Sequence, residues 1–231
     1  MTERERLRDD VARVCVALGD DAARAMVFGC AALACYPLEG LEDVRRTEDV
    51  DVVLNAPRLD VRLLGRIAQA GFDELINAPH RFQRRLTQPA GEPPLAVDLL
   101  FSDDVFADEW LVDAFRHASP VEIDGAVLAL RVIPPLHFVA VKLRAAADRG
   151  SKPEHEDKDI GDVVDVLAHL RGIREAISSG GGGVAGFVRD QLSRNWRNFL
   201  TDPQRMAGLL HGGGDSQARG RDVADWLRSL P

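Results

Sequence analysis

The chain has 231 residues, of which 45% are hydrophobic and 29% charged, and this ordinary globular composition excludes wholesale disorder. No apolar run approaches the roughly 20 residues that span a bilayer, and the charged N-terminus lacks the apolar stretch of a signal peptide, so we expect a cytoplasmic protein with no membrane partner. The formal net charge of −8 argues against a broad nucleic-acid-binding surface.

The first elements predict a helix, a strand, a tight turn and a second strand. Apolar spacing over 3–18 indicates an amphipathic helix, and AMVFG at 25–29 indicates a strand that ends in a turn at its glycine. A short helix over 31–36 and a charged loop follow. DVDVVL at 49–54 alternates carboxylate and valine, which predicts a strand with one polar face.

The remaining elements alternate and then become helical. Asp124-Gly125 is a common hairpin dipeptide and predicts a hairpin over 121–132. In SSGGGG, at 178–183, we expect a flexible linker. The other expected elements are a helix over 59–69, strands over 81–87 and 95–101 joined by QPAGEPP, a helix over 104–117, and helices over 136–148, 158–170, 184–200, 203–210 and 216–229.

The predicted fold class is therefore α+β. A small mixed β-sheet would form a domain over 1–133, and a helical domain would follow over 134–231. The prolines at 134 and 135 mark the boundary between them.

Three carboxylates carry the strongest chemical signal. Asp49 and Asp51 are two residues apart on a strand, so their side chains share a face with Cα atoms roughly 6–7 Å apart. Asp98 is the lone charge in LAVDLLF, and a neighbouring strand would place it about 4.8 Å away. Three convergent carboxylates can hold two Mg²⁺ ions. Alternatively, the first two acids line the solvated face of an edge strand, and Asp98 is a salt-bridged acid.

Other charged residues leave alternatives open. Lysine occurs only at Lys142, Lys152 and Lys158, whereas arginine is abundant, which hints that this stretch has a specific task. Asp159, Asp162 and Asp165 could form an exposed helix face rather than contribute to a site. We expect the arginines at 81, 84 and 85 to face solvent, and the alternative is that they contact phosphate or nucleic acid. The cysteines and histidines lack metal-site spacing, so any metal should be a hard cation.

The order of these motifs resembles the nucleotidyltransferase superfamily related to DNA polymerase β. That superfamily has a Gly-Gly or Gly-Ser turn, then Asp-x-Asp, then a later Asp. The form R-x-T-x-D-x-D at 45–51 is most similar to the abortive-infection (AbiEii-type) toxin nucleotidyltransferases. Lys142 and the Lys-Asp-x-x-Asp run from Lys158 resemble the later helical segment of that family. At the second turn position, Cys30 replaces the usual glycine or serine and lacks a hydroxyl donor.

The resemblance implies an enzyme that transfers a nucleoside monophosphate from a nucleoside triphosphate such as ATP to an acceptor and releases pyrophosphate. The cofactor would be Mg²⁺ or Mn²⁺, and Lys142 would neutralise the triphosphate. The implied metal ligands are Asp49, Asp51 and Asp98, which are also catalytic, and the implied nucleotide-binding residues are Gly29, Cys30, Arg45, Thr47 and Lys158.

The acceptor is left open by the sequence. A toxin-like enzyme would modify tRNA or a protein and would have a cognate antitoxin as its partner. A resistance enzyme would modify an aminoglycoside, a cation that suits an acidic site. The third alternative is a catalytically inactive nucleotide-binding module.

Overall fold

A computed structural model describes residues 1–41, 43–56, 60–84, 95–102, 109–148, 153–211 and 215–231. The described chain divides into two compact units. The first comprises Met1–Cys35 and Arg46–Pro134, and the second comprises Tyr36–Arg45 and Pro135–Pro231. Several predicted features lie outside the described residues: the starts of the helices expected at 59 and 104, the end of the strand expected over 81–87, the turn at 88–94, and Lys152.

A mixed sheet of seven strands forms the first unit. The sheet order is β3-β4-β5-β2-β1-β7-β6, with β2 parallel to β5, β1 parallel to β7 and the other neighbours antiparallel. The strands are β1 Ala25–Phe28, β2 Asp49–Leu54, β3 Phe72–Leu75, β4 Ala78–Arg84, β5 Ala96–Phe101, β6 Ser119–Ile123 and β7 Ala126–Val132.

One face of this sheet is covered by helices. The first unit contains α1 Glu3–Leu18, α2 Ala31–Cys35, α3 Val61–Gln69 and α4 Glu109–His117, and a 3-10 helix over Gly19–Arg24. Val14 and Leu18 of α1 and Ile67 of α3 meet Phe82 and Val97 of the sheet in the unit's core. Because side chains alternate along a strand, the residue next to each of these sheet positions points to the opposite face.

Helices form the second unit. Buried apolar residues of α5, such as Phe138 and Leu143, and of α6, such as Val163 and Leu167, contribute to its core. The segment over Tyr36–Arg45 packs here as well, with the Tyr36 ring edge-on to Phe138. The helices are α5 Pro135–Asp148, α6 Pro153–His169, α7 Ile173–Ser179, α8 Gly183–Gln191, α9 Arg197–Leu200, α10 Pro203–Leu209 and α11 Ser216–Ser229, with a π-helical turn at Leu192–Trp196.

The predicted α+β class is confirmed, although the sheet is larger than expected. The missed strand β3 carries two exposed acids and forms the sheet edge, so it lacks the apolar alternation of a half-buried strand. Although we assigned all of 1–133 to the first domain, Tyr36–Arg45 belongs to the second unit. Among the described helices, none has the length and apolar character needed to cross a membrane.

The predicted flexible linker at 178–183 is wrong. Helix α7 continues to Ser179, and α8 begins at Gly183. A Cβ atom on Gly180 would lie 2.3 Å from the Cβ of Ala185, so this glycine allows a tight turn between two packed helices. The glycine run therefore serves close packing within the second unit.

Candidate functional site

Asp49, Asp51 and Asp98 lie on one face of two adjacent strands. β2 and β5 run parallel, and Asp51 is the direct partner of Asp98 in their register. Val50 and Val52 alternate with the two acids of β2 and are fully buried. The expected adjacency of the two strands is present, and it brings together carboxylates that are far apart in sequence.

The turn after β1 holds Gly29 against the carboxylate of Asp51. Gly29 has a φ of +63°, in the left-handed region that favours glycine. A Cβ atom at this position would lie 2.0 Å from Oδ2 of Asp51, which is a direct clash. The next residue, Cys30, is buried, and its carbonyl accepts a hydrogen bond from the Leu33 N–H at 3.0 Å. The turn is therefore shaped to let the backbone approach the acid.

Thr47 orients Asp49. Its hydroxyl donates to Oδ1 of Asp49 at 2.6 Å, and Thr47 itself is buried. The Thr47 backbone is fixed in turn, because its N–H donates to Glu3 and its carbonyl accepts from Arg6. The threonine of the R-x-T-x-D-x-D motif thus has a positioning role in this structure, acting through the first carboxylate.

Arg81 bridges two of the three acids. It is the antiparallel partner of Asp98, and its guanidinium lies 3.0 Å from Oδ2 of Asp98 and 3.4 Å from Oδ2 of Asp49. The prediction that Arg81 simply faces solvent is wrong, because its guanidinium pairs with two carboxylates. Its role could not be read from the sequence because it depends on the register of β4 against β5. The side chain at 84 and all of residue 85 lie outside what the structure describes.

The carboxyl group of Asp98 is in an unfavourable environment for a negative charge. Burial raises its pKa, the nearby Arg81 opposes that shift, and Asp49 adds to it. Its Oδ1 atom is buried and has no hydrogen-bond partner among the described residues. A buried acceptor without a partner costs free energy, so this atom is suited to receive a cation or a proton.

Lys142 belongs to a buried ion-pair cluster within the second unit. Its ammonium lies 2.8 Å from Asp159 and 2.7 Å from Asp162. Burial lowers the pKa of Lys142, but the two carboxylates outweigh burial and raise it. Burial likewise raises the pKa of Asp162, and Lys142 and Arg45 together reverse that effect and lower it. Lys142 is therefore charged and largely enclosed, which differs from a flexible surface ammonium.

The other predicted residues of this segment are placed as follows. Arg45 donates to both oxygens of Asp162 at 3.2 and 3.3 Å, and Lys158 is exposed on α6. Asp165 is fully buried and accepts from the backbone N–H and from Nδ1 of His211. The alternative of an exposed acidic helix face is wrong, because Asp159, Asp162 and Asp165 are all buried. Contacts of Arg45, Lys142 and Lys158 with a nucleotide stay predictions.

Comparison with known proteins finds similarity to solved structures but none in sequence. No protein-family model matches the chain, and no curated protein matches it in sequence. The fold is similar to the crystal structure of an antigenic nucleotidyltransferase-like protein from Paracoccidioides brasiliensis, with a TM-score of 0.51 and 16% identity. The likeness covers 87% of this chain and 94% of the other. At this identity it concerns the fold alone.

Proposed function

We propose that this chain is a metal-dependent nucleotidyltransferase that transfers a nucleoside monophosphate from a nucleoside triphosphate to an acceptor and releases pyrophosphate. The observation that carries the proposal is the convergence of Asp49, Asp51 and Asp98 on one face of β2 and β5, beside the Gly29 turn. The likeness of the fold to a nucleotidyltransferase-like protein supports the same class.

The residues present fit a hard divalent cation. All three acids offer oxygen atoms, which Mg²⁺ and Mn²⁺ prefer. The buried Oδ1 of Asp98, without a hydrogen-bond partner among the described residues, is an acceptor that a cation would satisfy. Thr47 fixes the orientation of Asp49, as the outer partners of metal-binding carboxylates commonly do. We therefore propose Asp49, Asp51 and Asp98 as the ligands.

The chain's own residues would perform three tasks. Asp98 would accept the proton of the attacking hydroxyl group. The Gly29 turn would admit the phosphates close to the backbone, and Arg81 would exchange a carboxylate for a phosphate oxygen. A bound divalent cation supplies Lewis-acid polarisation of the transferred phosphoryl group. Lys142 would contact the triphosphate by exchanging one of its two buried carboxylate partners, Asp159 or Asp162, for a phosphate oxygen.

The acceptor is proposed from the sequence resemblance. The R-x-T-x-D-x-D form supports an AbiEii-type toxin that acts in the cytoplasm on tRNA or protein and is neutralised by a cognate antitoxin. In this chain the Thr47 hydroxyl donates to Asp49, the first acid of the motif, so the threonine of the motif serves to position that acid. The experiment below distinguishes these macromolecular acceptors from a small-molecule acceptor.

The test is transfer of label from each of the four nucleoside triphosphates, labelled at the α-phosphate, into the fractions of a cell extract. With Mg²⁺ or Mn²⁺ present, we expect label in RNA or protein. Asp51→Asn should reduce transfer on the order of 100-fold, since losing one metal ligand removes a few kcal/mol of transition-state stabilisation. Asp20→Asn, an exposed acid of the same unit, should leave it unchanged.

Two results would count against the proposal. If the wild-type protein labels no fraction with any of the nucleotides and with either metal, the chain does not have the proposed activity. Transfer by Asp51→Asn at the wild-type rate would remove the three acids from the reaction. Label found only in small molecules would keep the enzyme class and replace the toxin-like acceptor.

A further inference from the structure

The first unit has a polar pocket with a volume of about 270 Å³ away from the three acids. Its described lining contains three arginines, one asparagine and one aromatic ring, and no acidic residue. The lining residues are Ala23, Arg24, Asn55, Phe115, Arg116 and Arg131. In a chain with a net charge of −8, three guanidinium groups around one cavity are a local concentration of basic side chains.

Four elements build the pocket. Arg24 ends the 3-10 helix before β1, and Asn55 follows β2, where its N–H donates to the Arg24 carbonyl at 2.9 Å. Arg131 lies on β7, opposite Met26 of β1. Phe115 and Arg116 come from the last turn of α4. The pocket is therefore formed by the 3-10 helix, the residue that follows β2, one strand and the end of one α-helix.

The pocket lies at the opposite end of β2 from the acids. Asp51 and Asn55 are four residues apart, so their Cα atoms are separated by about 13 Å along an extended strand. In the antiparallel partner β1, Phe28 pairs with Asp51 whereas Ala25 pairs with Leu54. A ligand in this pocket is thus distinct from a nucleotide bound at the acids.

The arginines differ in how they are held. Arg24 pairs with Asp21 and Arg116 with Asp113, two acids that do not line the pocket. The backbone of Arg131 is paired within the sheet, whereas its partly exposed side chain forms no ion pair among the described residues. The C-terminal end of α4 carries a partial negative charge of about half a unit, which the full positive charge of Arg131 alone outweighs.

We propose that this pocket binds the phosphate group of a nucleotide-like ligand. Arginine forks match phosphate oxygens with paired hydrogen bonds, Asn55 offers an amide donor, and the half-buried Phe115 ring offers a face for a base. The phosphate comes either from a free mononucleotide or from a nucleic-acid strand. The proposal is independent of nucleotidyl transfer, because it concerns binding without a divalent cation.

The experiment measures binding to the full chain in EDTA, so that a metal-dependent nucleotide at the acids does not contribute. A labelled short single-stranded RNA is the direct probe, and AMP, inorganic phosphate and adenosine are its competitors. We expect AMP to compete and adenosine to fail. RNA that binds at least about tenfold more tightly than AMP would identify a strand as the source, and equal affinities would identify a free nucleotide.

The variants decide whether the pocket is responsible. Arg24→Ala with Arg131→Ala should weaken binding of either probe at least about tenfold, a loss typical of removing phosphate contacts. The charge-matched control, Arg13→Ala with Arg62→Ala, removes two exposed arginines outside the pocket and should change little. Arg116→Ala, at a side chain that is 72% exposed, cannot disturb the core and should weaken binding in the same direction.

The proposal would be overturned by wild-type protein that binds neither RNA nor AMP. Competition by adenosine as strong as that by AMP would also overturn it, because the phosphate would then not be recognised. The third contradictory result is equal affinity in the pocket variants and in the charge-matched control. None of these results bears on nucleotidyl transfer, which is measured with a divalent cation and the Asp51→Asn variant.

Discussion

At the scale of single residues, the contact between Gly29 and Asp51 shows how backbone and carboxylate are fitted together. A left-handed φ permits the turn, and the missing side chain leaves room for the Asp51 carboxylate. Any other residue would face both the cost of that backbone conformation and a clash with Oδ2. The glycine is therefore tied to the position of an acid that we propose as a metal ligand.

Gly29→Ala should both destabilise the protein and displace Asp51. We expect the free energy of unfolding to fall by about 1–3 kcal/mol, because the alanine backbone is strained and its Cβ atom must push the carboxylate away. Gly65→Ala is the matched control: Gly65 is in α3 with an ordinary φ, and an added Cβ atom would meet nothing within 4 Å, so alanine should stabilise by about 0.5–1 kcal/mol. Denaturant midpoints check both values, and a Gly29→Ala midpoint at or above that of wild type would contradict the argument.

At the scale of elements, the packing of α5 on α6 encloses charge. Lys142 on α5 faces Asp159 and Asp162 on α6, and Arg45 from the Tyr36–Arg45 segment completes the cluster. The same segment meets α6 again where the Glu39 N–H donates to the His169 carbonyl at 2.8 Å. A charged side chain that is buried inside a unit is tolerated only when an oppositely charged partner stays beside it.

Lys142→Met should therefore destabilise the second unit strongly. Removing the ammonium leaves two carboxylates with less compensation, which typically costs about 3–5 kcal/mol for a buried pair. Lys158→Met is the matched control, because Lys158 is exposed on the same helix pair and its loss should stay within about 0.5 kcal/mol. Urea unfolding of both variants makes the comparison, and equal midpoints would show that the Lys142 cluster contributes nothing to stability.

The elements also show what the sequence could predict. Helix α1 and the hairpin at Asp124-Gly125 follow from local signals, namely apolar spacing and turn chemistry, and both occur as expected. The burial of Asp159 and Asp162 could not be predicted, because evenly spaced acids on a helix resemble a solvated face. Their partner Lys142 is on another helix and Arg45 is more than a hundred residues away in the chain, so only the tertiary structure reveals the cluster.

At the scale of the whole molecule, the order of strands determines which residues meet. The alternation in DVDVVL predicts that Asp49 and Asp51 share a face, and the parallel pairing of β2 with β5 adds Asp98. The position of Arg81 depends on β4 joining the same sheet, which no local pattern specifies. The likeness to a solved structure concerns the fold, so the proposed function rests on the site itself.

The most direct test of the account is whether Mn²⁺ binds at the three acids. Calorimetric titration of the wild-type protein with Mn²⁺, paired with thermal unfolding, should give binding and a stabilisation that approaches about 2.7 kcal/mol at a hundredfold excess over Kd. Asp51→Asn and Asp98→Asn should each lose both, whereas Asp20→Asn, at an exposed acid, should keep them. If the Asp51 and Asp98 variants bind Mn²⁺ and are stabilised as strongly as wild type, the three carboxylates are not a metal site and the proposed mechanism is wrong.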